Sequence, residues 1–151
     1  MELSFSANKE LAWAAVVALR HVVHPAVREA AFRLIKKGLV GRDYAIAMLD
    51  ENWKPGDHET VLSWFENESD RSLRHRMQMD LRKFWERHLQ PESELRMLEL
   101  LYEKGPCSFC REHVVMRMIE MDALSPTLRA ECAYDANQDI RELVSAPPPF
   151  E

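Results

Sequence analysis

His24-Pro-Ala-Val-Arg-Glu-Ala-Ala-Phe-Arg-Leu-Ile35 is the stretch that decides the fold. Pro25 suits the first position of a helix, where its missing N–H is not needed, and Gly38 suits the C-terminal cap. At about 100° per residue, Val27, Ala30, Ala31, Leu34 and Ile35 fall on one stripe while Glu29, Arg33 and Lys36 face away. The alanines in that stripe let a neighbouring helix approach closely.

The same pattern extends in both directions. Asn8 caps a first helix reaching about His24, and Leu11-Ala-Trp-Ala-Ala-Val-Val-Ala-Leu19 is apolar on all sides, which predicts packing on two faces. Helices follow over about Asp43–Glu51, from Asp57 to about Asn67, and from Ser69 or Asp70 to Leu89. Pro91 opens another that Gly105-Pro106 ends, and Ser108–Met121 forms a seventh. Ser125-Pro126 starts an eighth, and Asn137 caps a ninth that reaches Val144. The fold class predicted is all-α, eight or nine helices with no sheet. One domain is expected over 1–145, with a Pro-rich flexible tail over 146–151.

Composition agrees. The 151 residues are 46% hydrophobic and 30% charged, with only four glycines, as in a soluble globular chain rich in helix formers. The longest apolar run near the N-terminus, Leu11–Leu19, is far short of the roughly 20 residues needed to cross a bilayer. The start lacks the basic residues of a signal peptide, so a cytoplasmic location and no membrane partner are expected. Three cysteines are too few for a disulfide scaffold, which fits a reducing compartment.

Four helix starts share an apolar residue followed by arginine: Val27-Arg28, Cys110-Arg111, Leu128-Arg129 and Ile140-Arg141. Cys110 and Ile140 are one plausible helix-pair repeat apart, whereas Val27 and Cys110 are not a whole number of such repeats apart. The His24–Ile35 stretch resembles the second helix of a HEAT-like repeat. Gly105-Pro-Cys-Ser-Phe-Cys-Arg-Glu and Ala123-Leu-Ser-Pro-Thr-Leu-Arg-Ala-Glu-Cys-Ala-Tyr-Asp-Ala-Asn-Gln-Asp-Ile-Arg-Glu-Leu143 resemble the repeats of small bacterial HEAT-like proteins. Residues 42–104 match only as helices. The resemblance implies a short α-solenoid, a superhelical array that serves as a binding surface and carries no shared chemistry. In such an array the recurring arginines Arg28, Arg111 and Arg141 are structural. Asp135 and Asp139 are the candidate acceptors for Arg111 and Arg141, tying one repeat to the next.

Catalytic signatures are missing. No glycine-rich phosphate loop, no G-x-S-x-G and no two-histidine zinc helix occurs, so no enzyme activity and no cofactor are expected. Cys107-Ser-Phe-Cys110 is the most suggestive motif. Cys107, Cys110, His113 and Cys132 could supply a Cys3His zinc set. The C-x-x-C could instead be a redox dithiol, although no strand precedes it as in a thioredoxin-like site. The preferred reading is core packing, because Cys107 and Cys110 continue the stripe of Val114, Met118 and Met121.

The charge pattern supplies the interaction candidates. Residues 69–89 hold six basic and three acidic side chains, +3 within a chain of net charge -5. Arg76, Lys83 and Arg87 project within about 40° of one another. A nucleic-acid binder would use that stripe for phosphates, including a repair enzyme of the HEAT-like glycosylase sort. An acidic protein partner would suit it equally, and a solvated face paired with its own acidic neighbours is the plainer reading. Trp53, Trp64 and Trp85, with Phe65 and Phe84, concentrate aromatic mass nearby, and an exposed Trp85 would be a protein-binding anchor. The expected function is a non-catalytic protein–protein interaction module, with nucleic-acid binding through residues 69–89 as the alternative and a zinc or thiol-redox protein at Cys107 and Cys110 as the third.

Overall fold

The computed structural model describes residues 2–88 and 90–145, without the side chains of Lys83, Trp85 and Glu86. The tail over 146–151 lies outside the described residues. Among those described there is no strand, and the chain is all-α: α1 Lys9–Leu19, α2 Pro25–Lys37, α3 Ala45–Asp50, α4 Asp57–Asn67, α5 Arg71–His88, α6 Pro91–Lys104, α7 Ser108–Glu120, α8 Pro126–Cys132 and α9 Gln138–Ser145. None of these helices is long and apolar enough to cross a membrane. The chain forms two compact units, residues 1–88 and 89–151.

In the first unit local chemistry sets the helix ends. The Asn8 side chain accepts from the backbone N–H groups of Glu10 and Leu11 at the start of α1. His24 does the same for α2, Nδ1 accepting from Ala26 N at 3.1 Å, which requires an unprotonated Nδ1. Gly38 closes α2 at φ 61°, with Leu39 N–H returning to the Leu34 carbonyl. Gly41 is needed twice over. Its φ is 83°, and a Cβ there would stand 3.0 Å from three side-chain carbons of the fully buried Val16.

Val27, Ala30, Ala31 and Leu34 of α2 are buried, and α2 packs on α3, which in turn packs on α5. Met48, Leu49, Val61, Phe65, Met77 and Phe84 complete this core. Helix α1 behaves differently from its apolar sequence. Ala12 and Val16 are its buried residues, whereas Leu11 and Trp13 are exposed, so it is not packed on two faces.

The second unit buries Met97, Leu98 and Leu101 of α6 against Val114, Val115 and Met118 of α7, with Cys132, Ile140 and Val144. Pro91 and Pro126 open α6 and α8, and the Ser125 hydroxyl accepts from Leu128 N. Glu94 is buried, and Arg117 forks onto it, Nε to Oε1 at 2.7 Å and Nη2 to Oε2 at 3.3 Å. That carboxylate holds the Arg117 guanidinium above its ordinary range.

Candidate functional site

Three arginines of the basic helix α5, Arg74, Arg76 and Arg87, have partners inside their own unit. Arg76 pairs with Asp43 at 3.4 Å, and Arg87 pairs with Asp50 at 2.5 Å and Glu51 at 3.5 Å. Arg74 donates to the Glu68 carbonyl. His88 joins the same Asp50 carboxylate at 2.7 Å. Arg82 is exposed, and the side chains of Lys83 and Trp85 lie outside the described residues. Because Arg76 and Arg87 already face carboxylates, a phosphate would have to compete with those partners. The aromatic mass nearby is largely internal. Phe65 and Phe84 are buried, Trp53 meets Phe84 edge-on at 4.3 Å, and Trp64 donates to Glu68.

The arginines that begin the helices share a common fate. Arg28 donates from Nε to Asp57 Oδ2 at 2.9 Å and from Nη2 to Oδ1, and Asp57 is buried. Arg111 Nε lies 3.1 Å from Asp135 Oδ2, a carboxylate only 6% exposed. The contact is an ion pair without hydrogen-bond geometry at Nε. Arg129 donates to the Val144 carbonyl at 3.0 Å. Arg141 donates to the carbonyls of Asp135 and Ala136 at 2.6 and 3.1 Å. Asp135 therefore serves Arg111 with its carboxylate and Arg141 with its carbonyl. Asp139 sits exposed on the first turn of α9, where its N–H bonds Asn137 Oδ1.

Several residues that carry the framework were not singled out by sequence. Asn52 accepts from His24 N at 2.7 Å and donates to the carbonyls of Val22 and Met48, both at 2.9 Å. Asn137, expected only as the cap of α9, also bonds the Ser108 carbonyl and Glu112, both at 3.4 Å. Asp57 follows Gly56 at the first turn of α4. The sequence marked it as the start of that helix, not as the partner of Arg28.

The four sulfur and imidazole candidates do not converge on one point. Among the described residues of the second unit, no three ligand atoms from His, Cys, Asp and Glu lie within 4.8 Å of one another. Cys132 is fully buried, its thiol donating to the Tyr102 hydroxyl at 3.6 Å, and burial pushes both groups above their ordinary ranges. His113 Nδ1 is occupied by the Phe109 carbonyl at 3.0 Å. Cys107 and Cys110 are half-buried, unlike Val114 and Met118 further along the stripe.

A pocket of the second unit opens between α6, α7 and α8, with a volume of about 460 Å³. Tyr102, Leu128 and Arg111 form its inner wall, the guanidinium 5.8 Å from the Tyr102 ring centre. Glu99, Glu103 and Glu131 line it as exposed carboxylates, beside Ser125 and Thr127. Arg111 is engaged by Asp135, and among the described residues no cation pairs with those three glutamates. The pocket can hold a cation with an apolar stem. No family model, curated protein or solved structure matches the chain.

Proposed function

We propose that the chain is a non-catalytic protein-interaction module whose second unit grips a basic side chain of its partner. The observation that carries this reading is the pocket between α6, α7 and α8, within the size range of about 300–1,000 Å³ usual for ligand sites. Arg111, the one cation of its lining, is paired with Asp135, leaving Glu99, Glu103 and Glu131 for a visitor. A lysine or arginine stem would lie along Leu128 and Tyr102 with its charged head among the carboxylates.

The scaffold belongs, in this reading, to the HEAT-like α-solenoid class, each unit stacking helix pairs. Polar ties recur at one repeat length in both units: Val22 and His24 to Asn52, Arg28 to Asp57, Ser108 to Asn137 and Tyr102 to Cys132, all 28–30 residues apart. Nucleic-acid binding through α5 is disfavoured by the carboxylates already on Arg76 and Arg87.

Fluorescence anisotropy tests the reading with short peptides that differ only in one central residue: arginine, lysine or glutamine. The arginine and lysine peptides bind and the glutamine peptide does not. Glu103→Gln combined with Glu131→Gln weakens binding roughly tenfold, about 1.4 kcal/mol. Equal binding of all three peptides, or an unaffected double variant, overturns it. Salt-sensitive binding of an oligonucleotide through α5 instead would establish the alternative.

A further inference from the structure

Cys107 and Cys110 stand apart from the pocket reading and from the core. Cys107 is the N-cap of α7, with extended backbone at φ -116° and ψ 121°, and Cys110 lies in the first turn. Their Sγ atoms are within 4.8 Å of each other. Both residues are half-buried. The third cysteine contrasts on every count: Cys132 is fully buried and hydrogen-bonded to Tyr102.

We propose that Cys107 and Cys110 form a reversible dithiol–disulfide couple, with Cys107 as the attacking thiol and Cys110 as the resolving one. The roles follow from position. Cys107 sits at the open end of α7, where the unpaired backbone donors and the helix dipole favour a thiolate. Burial opposes ionisation there. The Cys110 backbone and thiol, the Phe109 N–H and the Arg111 guanidinium outweigh it and hold the Cys107 thiol below the ordinary range. A preceding strand is a requirement of the thioredoxin-like fold; the exchange chemistry itself needs only an accessible thiolate and a resolving thiol one turn away.

The oxidant is a small disulfide, RS–SR. Cys107 thiolate attacks one sulfur, the RS–SR bond breaks, and one RS⁻ leaves to take up a proton. Cys110 then releases its proton and attacks Cys107 Sγ. The mixed disulfide breaks, and the second RS⁻ leaves and is protonated. Two thiols are oxidised by two electrons, and RS–SR is reduced to two RSH. An excess of a small thiol runs the sequence backwards.

The test uses the full reduced chain in glutathione buffers of graded potential, with alkylation and peptide mapping by mass spectrometry. The result expected is a Cys107–Cys110 disulfide in oxidising buffer that returns to two thiols in reducing buffer, while Cys132 stays reduced. With limiting alkylating reagent at neutral pH, Cys107 is labelled about tenfold faster than Cys110. Cys110→Ser traps glutathione on Cys107, and Cys107→Ser leaves residue 110 unglutathionylated. The proposal is overturned if both thiols of the wild-type chain stay alkylatable in oxidising buffer. It is equally overturned if the mixed disulfide on Cys107 persists unresolved, or if Cys132 is the residue modified. The wild-type mapping decides the matter even where a serine variant fails to fold.

Discussion

Arg28 and Asp57, 29 residues apart in the chain, are joined by two parallel hydrogen bonds between the guanidinium of α2 and a buried carboxylate at the start of α4. The carboxylate also accepts from Lys54 N at 3.0 Å, so one side chain fixes the turn before α4 and its tie to α2. In the second unit Asp135 pairs with Arg111 through its carboxylate and accepts from Arg141 through its carbonyl. In both cases an arginine in the first turns of a helix is tied to an aspartate distant in the chain.

Arg28→Ala should destabilise the chain by about 2 kcal/mol, because it leaves a buried carboxylate with its charge unpaired. Arg28→Lys should recover only part of this, since an ammonium cannot reproduce the two-pronged geometry. Urea unfolding with Asp57→Asn and the double variant measures the coupling. Additive losses would show that the pair contributes nothing as a pair.

Asn52→Ala should cost about 1–2 kcal/mol. It removes the acceptor for His24 N and the donor to the Val22 and Met48 carbonyls together. Thermal unfolding checks this, and a melting temperature equal to the wild type's contradicts it.

Gln78 is 1% exposed, and among the described residues neither amide atom has a hydrogen-bond partner. Gln78→Met keeps the unbranched shape and removes the unsatisfied amide, so it should raise stability by about 1 kcal/mol. A lower urea midpoint in the variant would mean that the amide is satisfied in solution.

Alkaline pH should weaken the second unit. Burial raises the Cys132 thiol above its unfolded value, so the folded state holds that proton more tightly than the unfolded chain. Its contribution is fully present below about pH 8.5, the unfolded thiol value, and is lost as pH rises through the folded one. Tyr102, also raised by burial, adds the same sign of effect above about pH 10. Urea midpoints of the wild type and Cys132→Ala between pH 8 and 9.5 isolate the thiol: the stability difference between them should shrink as pH rises. A constant difference would remove the linkage.

Arg141→Ala should destabilise by about 1 kcal/mol without altering binding of a basic peptide, because its guanidinium is taken up by the Asp135 and Ala136 carbonyls. Unchanged melting with lost binding would make Arg141 a recognition residue instead.

Helix content was written in the sequence because its signals are local. Asn8, Pro25, Gly38, Pro91 and Ser125-Pro126 act on backbone groups within a few residues, and the stripe of Val27, Ala31 and Leu34 requires only helical geometry to predict its buried face. The same locality explains the failures. Apolar character all round α1 implied two buried faces, yet Leu11 and Trp13 are exposed, because burial depends on what packs there and not on the helix itself. Arg76 and Arg87 projected together as a cationic stripe, but Asp43, Asp50 and Glu51 come to meet them from distant positions in the chain. Tertiary structure alone chose Asp57 for Arg28 and Asp135 over Asp139 for Arg111, gathered Glu99, Glu103 and Glu131 around Tyr102, and left Cys107 and Cys110 half-buried while burying Cys132 fully. Such partnerships follow from how whole helices pack, a property of the core that no spacing along one helix can carry.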